Sequence, residues 1–129
     1  MEEYIEIAVC GLHMRGLSLN YQLTDLHAEF DREENTSPTY RMRVIPGAME
    51  KPFLMYDEKG FSLLVEVWRI PVSKLGNFLA GIPAPLGLGK IKLTSKEVIG
   101  FVGQAGFGNN YVDISEYGGW AKYINAKKD

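Results

Sequence analysis

The sequence predicts an α+β domain over residues 1–129, with a small, mixed, largely antiparallel β-sheet or barrel and flanking helices. Three observations predict it. Several six- to eight-residue stretches alternate apolar and polar residues, the mark of strands with one buried face. Two or three stretches instead space their apolar residues as helices do. The strands are joined by short turns and loops with no helical crossovers between most of them, which favours antiparallel pairing.

Tyr4 to Val9 opens the chain as a strand, with Ile5, Ile7 and Val9 on one face and Tyr4, Glu6 and Ala8 on the other. Cys10 to Asn20 then forms a loop in which His13 lies between Gly11 and Gly16. Ser18 to Phe30 reads as a helix, because Leu19, Leu23, Leu26 and Phe30 fall at helical spacing and Ser18 is a suitable N-cap. Asp31 to Pro38 is polar and ends that element. Tyr40 to Ile45 alternates again, Tyr40, Met42 and Val44 opposing Arg41 and Arg43, and Pro46-Gly47 stops it. Phe53 to Tyr56 and Phe61 to Trp68 read as strands joined by a hairpin turn at Asp57 to Gly60.

Pro71 opens a helix whose stripe is Val72, Leu75, Phe78, Leu79 and Ile82. Ile82 to Gly89 cannot continue it, since its prolines lack amide donors. Lys90 to Leu93 and Val98 to Val102 form a hairpin, and Gln104 to Asn110 a glycine-rich loop. Asp113 to Glu116 resembles a capping box before a helix carrying Tyr117, Trp120, Tyr123 and Ile124, weakened by Gly118-Gly119. Lys127 to Asp129 reads as a frayed tail.

The totals exclude several classes. With 129 residues and 46% hydrophobic content, a packed core is expected and disorder is not. A net charge of -2, from 14 basic and 16 acidic side chains, is no footprint for nucleic acid or an anionic membrane. The acidic start at Met1 to Tyr4 lacks the basic segment of a signal peptide, and no apolar run is long enough to span a bilayer. The lone Cys10 rules out an internal disulfide and fits a reducing compartment. The expectation is a soluble, cytoplasmic protein without cofactor. Two histidines and one cysteine in no ligand spacing imply no metal.

The loop around His13 carries the chemistry. Imidazole titrates near neutrality and can donate a proton at physiological pH. Gly11 and Gly16 either let successive amides cradle an anion or serve the geometry of a tight turn. Asn20 either binds a ligand or caps the following helix. Arg41 can pair with a substrate carboxylate or lie with Arg43 on a solvated face. Tyr40 is a core tyrosine or turns its hydroxyl into the cleft. Glu66 shares an apolar face with Leu64 and Trp68, a costly place for a carboxylate unless it lines a cleft, sits on a rim or pairs with Arg69. Pro83 to Gly87 forms a rigid cleft wall that brings no reactive group. His27 reads as partly exposed packing, and Cys10 as packing without a base partner.

Gly11-Leu12-His13-Met14-Arg15-Gly16-Leu17-Ser18-Leu19-Asn20-Tyr21-Gln22-Leu23 resembles the opening motif of the C-terminal domain of allophanate hydrolases, roughly G-x-H-x-x-G-x-x-L-N-x-Q-L. Pro38 to Arg41, Ile45-Pro46-Gly47, Lys51-Pro52, Glu66-Val67-Trp68, Ile82 to Gly89, Asp113-Ile114-Ser115 and Gly118-Gly119-Trp120 follow in the family's order. The resemblance spans about Ile7 to Ile124. It implies a gamma-glutamylcyclotransferase-like fold and decarboxylation of N-carboxycarbamate, or a similar small carbamate, in urea and allophanate breakdown. Catalysis would fall to His13, Glu66 and Tyr40, and substrate binding to Gly11, Leu12, Gly16, Asn20, Arg41, Pro85 and Gly87. The partners implied are a small anionic carbamate-like ligand and a separate amidase, since the amidase half of the family is absent here. Cyclotransferases carry a glutamate in a pattern near L-D-x-x-E. Leu79-Ala80-Gly81-Ile82-Pro83 has none, so that reaction is disfavoured. The alternative to an enzyme is a module that binds a metabolite or docks on an amidase.

Overall fold

A computed structural model describes residues 2–128. Seven strands and three α-helices follow one another as β1 (Tyr4–Val9), α1 (Tyr21–Thr24), β2 (Glu29–Asn35), β3 (Tyr40–Ile45), β4 (Lys51–Tyr56), β5 (Leu64–Pro71), α2 (Val72–Ala80), β6 (Leu86–Lys92), β7 (Glu97–Gly103) and α3 (Trp120–Lys127). Five strands form one mixed sheet in the order β2-β5-β1-β7-β6, and β3 and β4 form a separate antiparallel pair. Strand β1 is central. It runs antiparallel to β5 along its whole length and parallel to β7 at Ile7–Ile99 and Ala8–Gly100.

The α+β class and the mixed sheet match the expectation, but no ladder closes a barrel among the described residues. The outer strands β2 and β6 meet only at their ends, through the single bridge Thr36–Leu93. There Ser37 N donates to Lys92 O at 2.9 Å and Thr94 N to Asn35 O at 3.0 Å. The core lies between the sheet and the β3–β4 pair, with Ile7, Val9, Met42, Phe53, Leu54, Val65, Val67 and Ile91 almost wholly buried.

Three elements differ from the sequence reading. The expected helix over Ser18–Phe30 is helical only at Tyr21–Thr24. His27 takes a left-handed conformation at φ 64°, Ala28 N bonds back to Leu23 O, and the chain reverses into β2. Phe30 to Asn35 is therefore an edge strand, not a helix end and a polar loop. Its polar residues suit that edge because Arg32 ties together Glu6, Asp31 and Glu34 at 2.6–2.8 Å.

The turn at Asp57 to Gly60 forms, with Gly60 N bonding Asp57 O at 2.8 Å, but it joins no hairpin. Strand β4 pairs with β3 while β5 starts at Leu64 and pairs with β1 and β2; Phe61 only bridges Tyr40. Finally, Ser115–Tyr117 is a short 3-10 turn, and α3 begins only after Gly118 and Gly119, both at positive φ. Of the expected tail, Lys127 ends α3 and Asp129 lies outside the described residues.

Candidate functional site

Strand β1 delivers the chain at Val9 to a loop held by its own backbone bonds and by one side chain. Leu19 N bonds Leu12 O at 3.0 Å, Met14 N bonds Gly11 O at 3.1 Å, and Asn20 Nδ2 donates to His13 O at 2.7 Å. Asn20 stands at the N-cap position of α1 but makes no side-chain cap; its amide clamps the carbonyl of His13 instead. Gly16 takes φ 79°, a conformation that favours glycine. Gly11 is needed for a different reason, since a Cβ there would lie 2.5 Å from Pro52 Cγ. That contact brings the start of β4, with Lys51, against the loop.

The imidazole of His13 is gripped from two sides. It stacks on Phe101 of β7 with centroids 5.1 Å apart at 16°, and meets the edge of Phe78 of α2 at 5.2 Å and 73°. His13 Nε2 lies 2.7 Å from Gln22 Oε1. With the amide oxygen accepting, Nε2 carries the proton and Nδ1 keeps its lone pair. Burial pushes the imidazole below its ordinary 6.5; the Gln22 bond opposes this in part, and the charge of Lys51 adds a smaller lowering. The ring is therefore neutral at physiological pH.

This ring borders a cavity of about 340 Å³. Gly11, Leu12, Gln22, Lys51, Pro52, Phe101 and the segment from Ala80 to Pro83 line it together with His13. Lys51 is the one charged side chain among the described lining residues, and none of the described ion pairs engages it. Cys10 also lines the cavity, but burial pushes its thiol up to about 12, so it stays protonated and unreactive. No group of three metal-ligating side chains occurs among the described residues.

The other residues singled out in the sequence lie elsewhere. Glu66 is buried and is not among the residues that line this cavity. Its carboxylate accepts from Arg15 N at 2.9 Å, Arg15 Nε at 3.0 Å and Trp68 Nε1 at 3.1 Å. Its partner is thus Arg15, not Arg69, and it ties the far end of the histidine loop to β5. Arg41 is held on the surface by Asp57 at 2.6 Å and Asp113 at 3.1 Å. Tyr40 is a core residue whose hydroxyl accepts from Lys92 N at 2.9 Å. Pro85 and Gly87 stand beside the wall, whose lining residues are Ile82, Pro83 and Leu86. Sequence reasoning passed over Lys51, Gln22, Phe78 and Phe101 as site residues. Gln22 and Lys51-Pro52 both lay inside the family's motifs, a signal that was available.

The cavity thus brings one imidazole and one ammonium together in a small α+β protein. The model of the allophanate hydrolase C-terminal domain matches residues 5–125, and the chain belongs to that family. It is 36% identical over 135 residues to the urea amidolyase of Lachancea kluyveri, covering 98% of this chain and 7% of that protein. The chain thus spans a small fraction of the curated relatives it matches. Among solved structures, the allophanate hydrolase of Kluyveromyces lactis superposes with a TM-score of 0.92 at 31% identity, over 97% of this chain and 22% of the other. A uropathogenic E. coli-specific protein matches at a TM-score of 0.87 and 33% identity, over 95% of this chain and 96% of the other. A likeness at 20% identity and TM-score 0.65 to an aig2-like protein of Mus musculus extends the fold alone.

Proposed function

We propose that this domain binds a small carbamate in the cavity beside His13 and promotes its decarboxylation, in the breakdown of urea and allophanate. N-carboxycarbamate is the substrate that the family resemblance implies. The observation that carries the reading is the placement on one cavity of a neutral, aromatic-clamped imidazole and an ammonium that none of the described ion pairs engages.

The chemistry follows from charge. Lys51 holds the carboxylate that the product retains, which leaves the other free to give up its charge as carbon dioxide. The bound anion stabilises the imidazolium and so lifts the pKa that burial has lowered. A proton then loads on Nδ1, the ring nitrogen not bonded to Gln22. As the C–N bond breaks, its electron pair stays on nitrogen, carbon dioxide departs, and the imidazolium proton passes to that nitrogen. The apolar walls exclude water and strengthen both charge interactions. Tyr40, Arg41 and Glu66 act at a distance from this step, as core, surface and loop-anchoring groups. A separate amidase is the partner that would supply the substrate.

The test is carbon dioxide release from N-carboxycarbamate generated in place by an amidase acting on allophanate. The wild-type domain accelerates release over the spontaneous rate, and His13→Asn abolishes that acceleration while keeping the circular dichroism of the fold. Equal rates with both proteins would refute the reading. They would leave the cavity as a metabolite-binding or docking feature.

A further inference from the structure

We propose that Phe101 is a positioning residue for the proton-transfer step: its ring face fixes the imidazole plane of His13 and carries part of the positive charge when that ring takes up its second proton. The inference rests on the reading of His13 as a proton donor and adds the protein group that stabilises the charged donor.

The sheet brings the two rings together. Ala8 pairs with Gly100 where β1 and β7 run parallel, so Phe101 stands beside the point at which β1 feeds the histidine loop. The ring of Phe101 is buried, lies nearly parallel to the imidazole at 16° with centroids 5.1 Å apart, and is braced by Phe78 at 5.6 Å. With Gln22 Oε1 at Nε2 and Phe101 against one face, both the tilt and the rotation of the imidazole are fixed. Nδ1 has no partner among the described hydrogen bonds.

Charge carries the argument further. A buried imidazolium needs electron-rich neighbours to offset the loss of water. The described residues that line the cavity include no carboxylate side chain. They bring Lys51 from β4, whose charge opposes the cation, and Cys10 from the end of β1, whose thiol stays protonated. The other elements against the ring are α1, α2 and β7, and the groups they present to it, Gln22, Phe78 and Phe101, do not titrate. Of the two aromatic neighbours, Phe101 is the one stacked on the imidazole. A cation within about 6 Å of a benzene centroid is attracted by the negative ring face, and more strongly where water is excluded. The neutral imidazole, with no net charge, gains much less. The contact therefore favours the proton-loaded donor over the empty one.

The experiment replaces Phe101 in the full chain by singly, doubly and triply fluorinated phenylalanine, which drains the ring face of negative charge at nearly constant size. The His13 ring is then titrated by NMR without ligand. The expected result is a His13 midpoint that falls with each fluorine, by about 0.5 pH units or more across the series. Triple fluorination of Phe61, which lies beside Arg41 instead, should leave the midpoint in place. The catalysed part of carbon dioxide release from amidase-generated N-carboxycarbamate should fall in step at neutral pH, and the loss should shrink as the pH is lowered. A midpoint constant across the series would overturn the inference and leave Phe101 as packing. A falling midpoint with unchanged release would overturn its part in the reaction. Failure of the reading itself shows separately, as equal release by the wild type and His13→Asn.

Discussion

At the scale of single residues, each polar group near His13 has one assignable task. Gln22 sets the tautomer, Asn20 clamps the loop carbonyl, and Glu66 anchors Arg15. Gly11 shows how closely the loop and β4 are fitted. Its backbone needs no unusual φ, but Pro52 fills the place of a side chain, and a proline ring cannot swing aside. Gly11→Ala should therefore destabilise the protein by about 1–3 kcal/mol, the cost of overpacking a tight contact, and should weaken carboxylate binding by displacing Lys51. Urea unfolding read by tryptophan fluorescence measures the first effect and titration the second. His13 and its glycines were legible in the sequence because chemistry and backbone freedom coincide there. The split of labour between the two glycines was not, since a contact with a residue 41 positions away leaves no local trace.

At the scale of elements, strands with one buried face were the readable part. The β3 pattern of buried Tyr40, Met42 and Val44 against half-buried Arg41 and Arg43 is plain alternation. The same rule failed at β2, where Glu29 to Asn35 carries almost no apolar residue. That strand is held by backbone pairing to β5 and by an ion-pair network centred on Arg32, and both depend on partners distant in sequence. Leu19, Leu23 and Leu26 mimicked a longer helix because packing against the core needs the same spacing in consecutive turns.

The β2 edge has a pH signature. Burial would raise the Glu34 carboxyl, but hydrogen bonds from Ser95, Arg32 and Thr94 outweigh it and hold the group down at about 2, against an ordinary 4.5. A depressed carboxyl contributes stability that is complete above its unfolded pKa and is lost as pH falls through the folded one. Wild-type stability should thus decline between pH 4.5 and about 2. Glu34→Gln should start less stable at neutral pH and show a shallower decline across that window. Thermal unfolding followed over the acid range checks both.

At the scale of the whole molecule, the cavity exists because two separate ladders and a helix converge. The loop after β1 supplies the imidazole, β4 the ammonium, β7 and α2 the aromatic clamp, and the segment after α2 the apolar wall. The α+β class followed from counting alternating stretches. Sheet order did not, because the parallel pairing of β1 with β7 joins segments some ninety residues apart in the chain. The residues expected to cooperate with His13 were chosen for their chemistry, and pairing register sent Arg41 to the surface and Tyr40 into the core.

The most direct measurement is the NMR titration of the His13 ring, free and with saturating acetate, in the wild type and in Lys51→Met. Without ligand the wild-type midpoint should lie below 6.5, as burial dictates. Acetate should raise it, so that by linkage binding tightens as pH falls through the bound and then the free midpoint. In Lys51→Met the free midpoint should rise, since a neighbouring positive charge is gone, and the acetate effect should vanish. A His13 midpoint indifferent to acetate in the wild type would contradict the assignment of this cavity as a carboxylate site coupled to a proton donor.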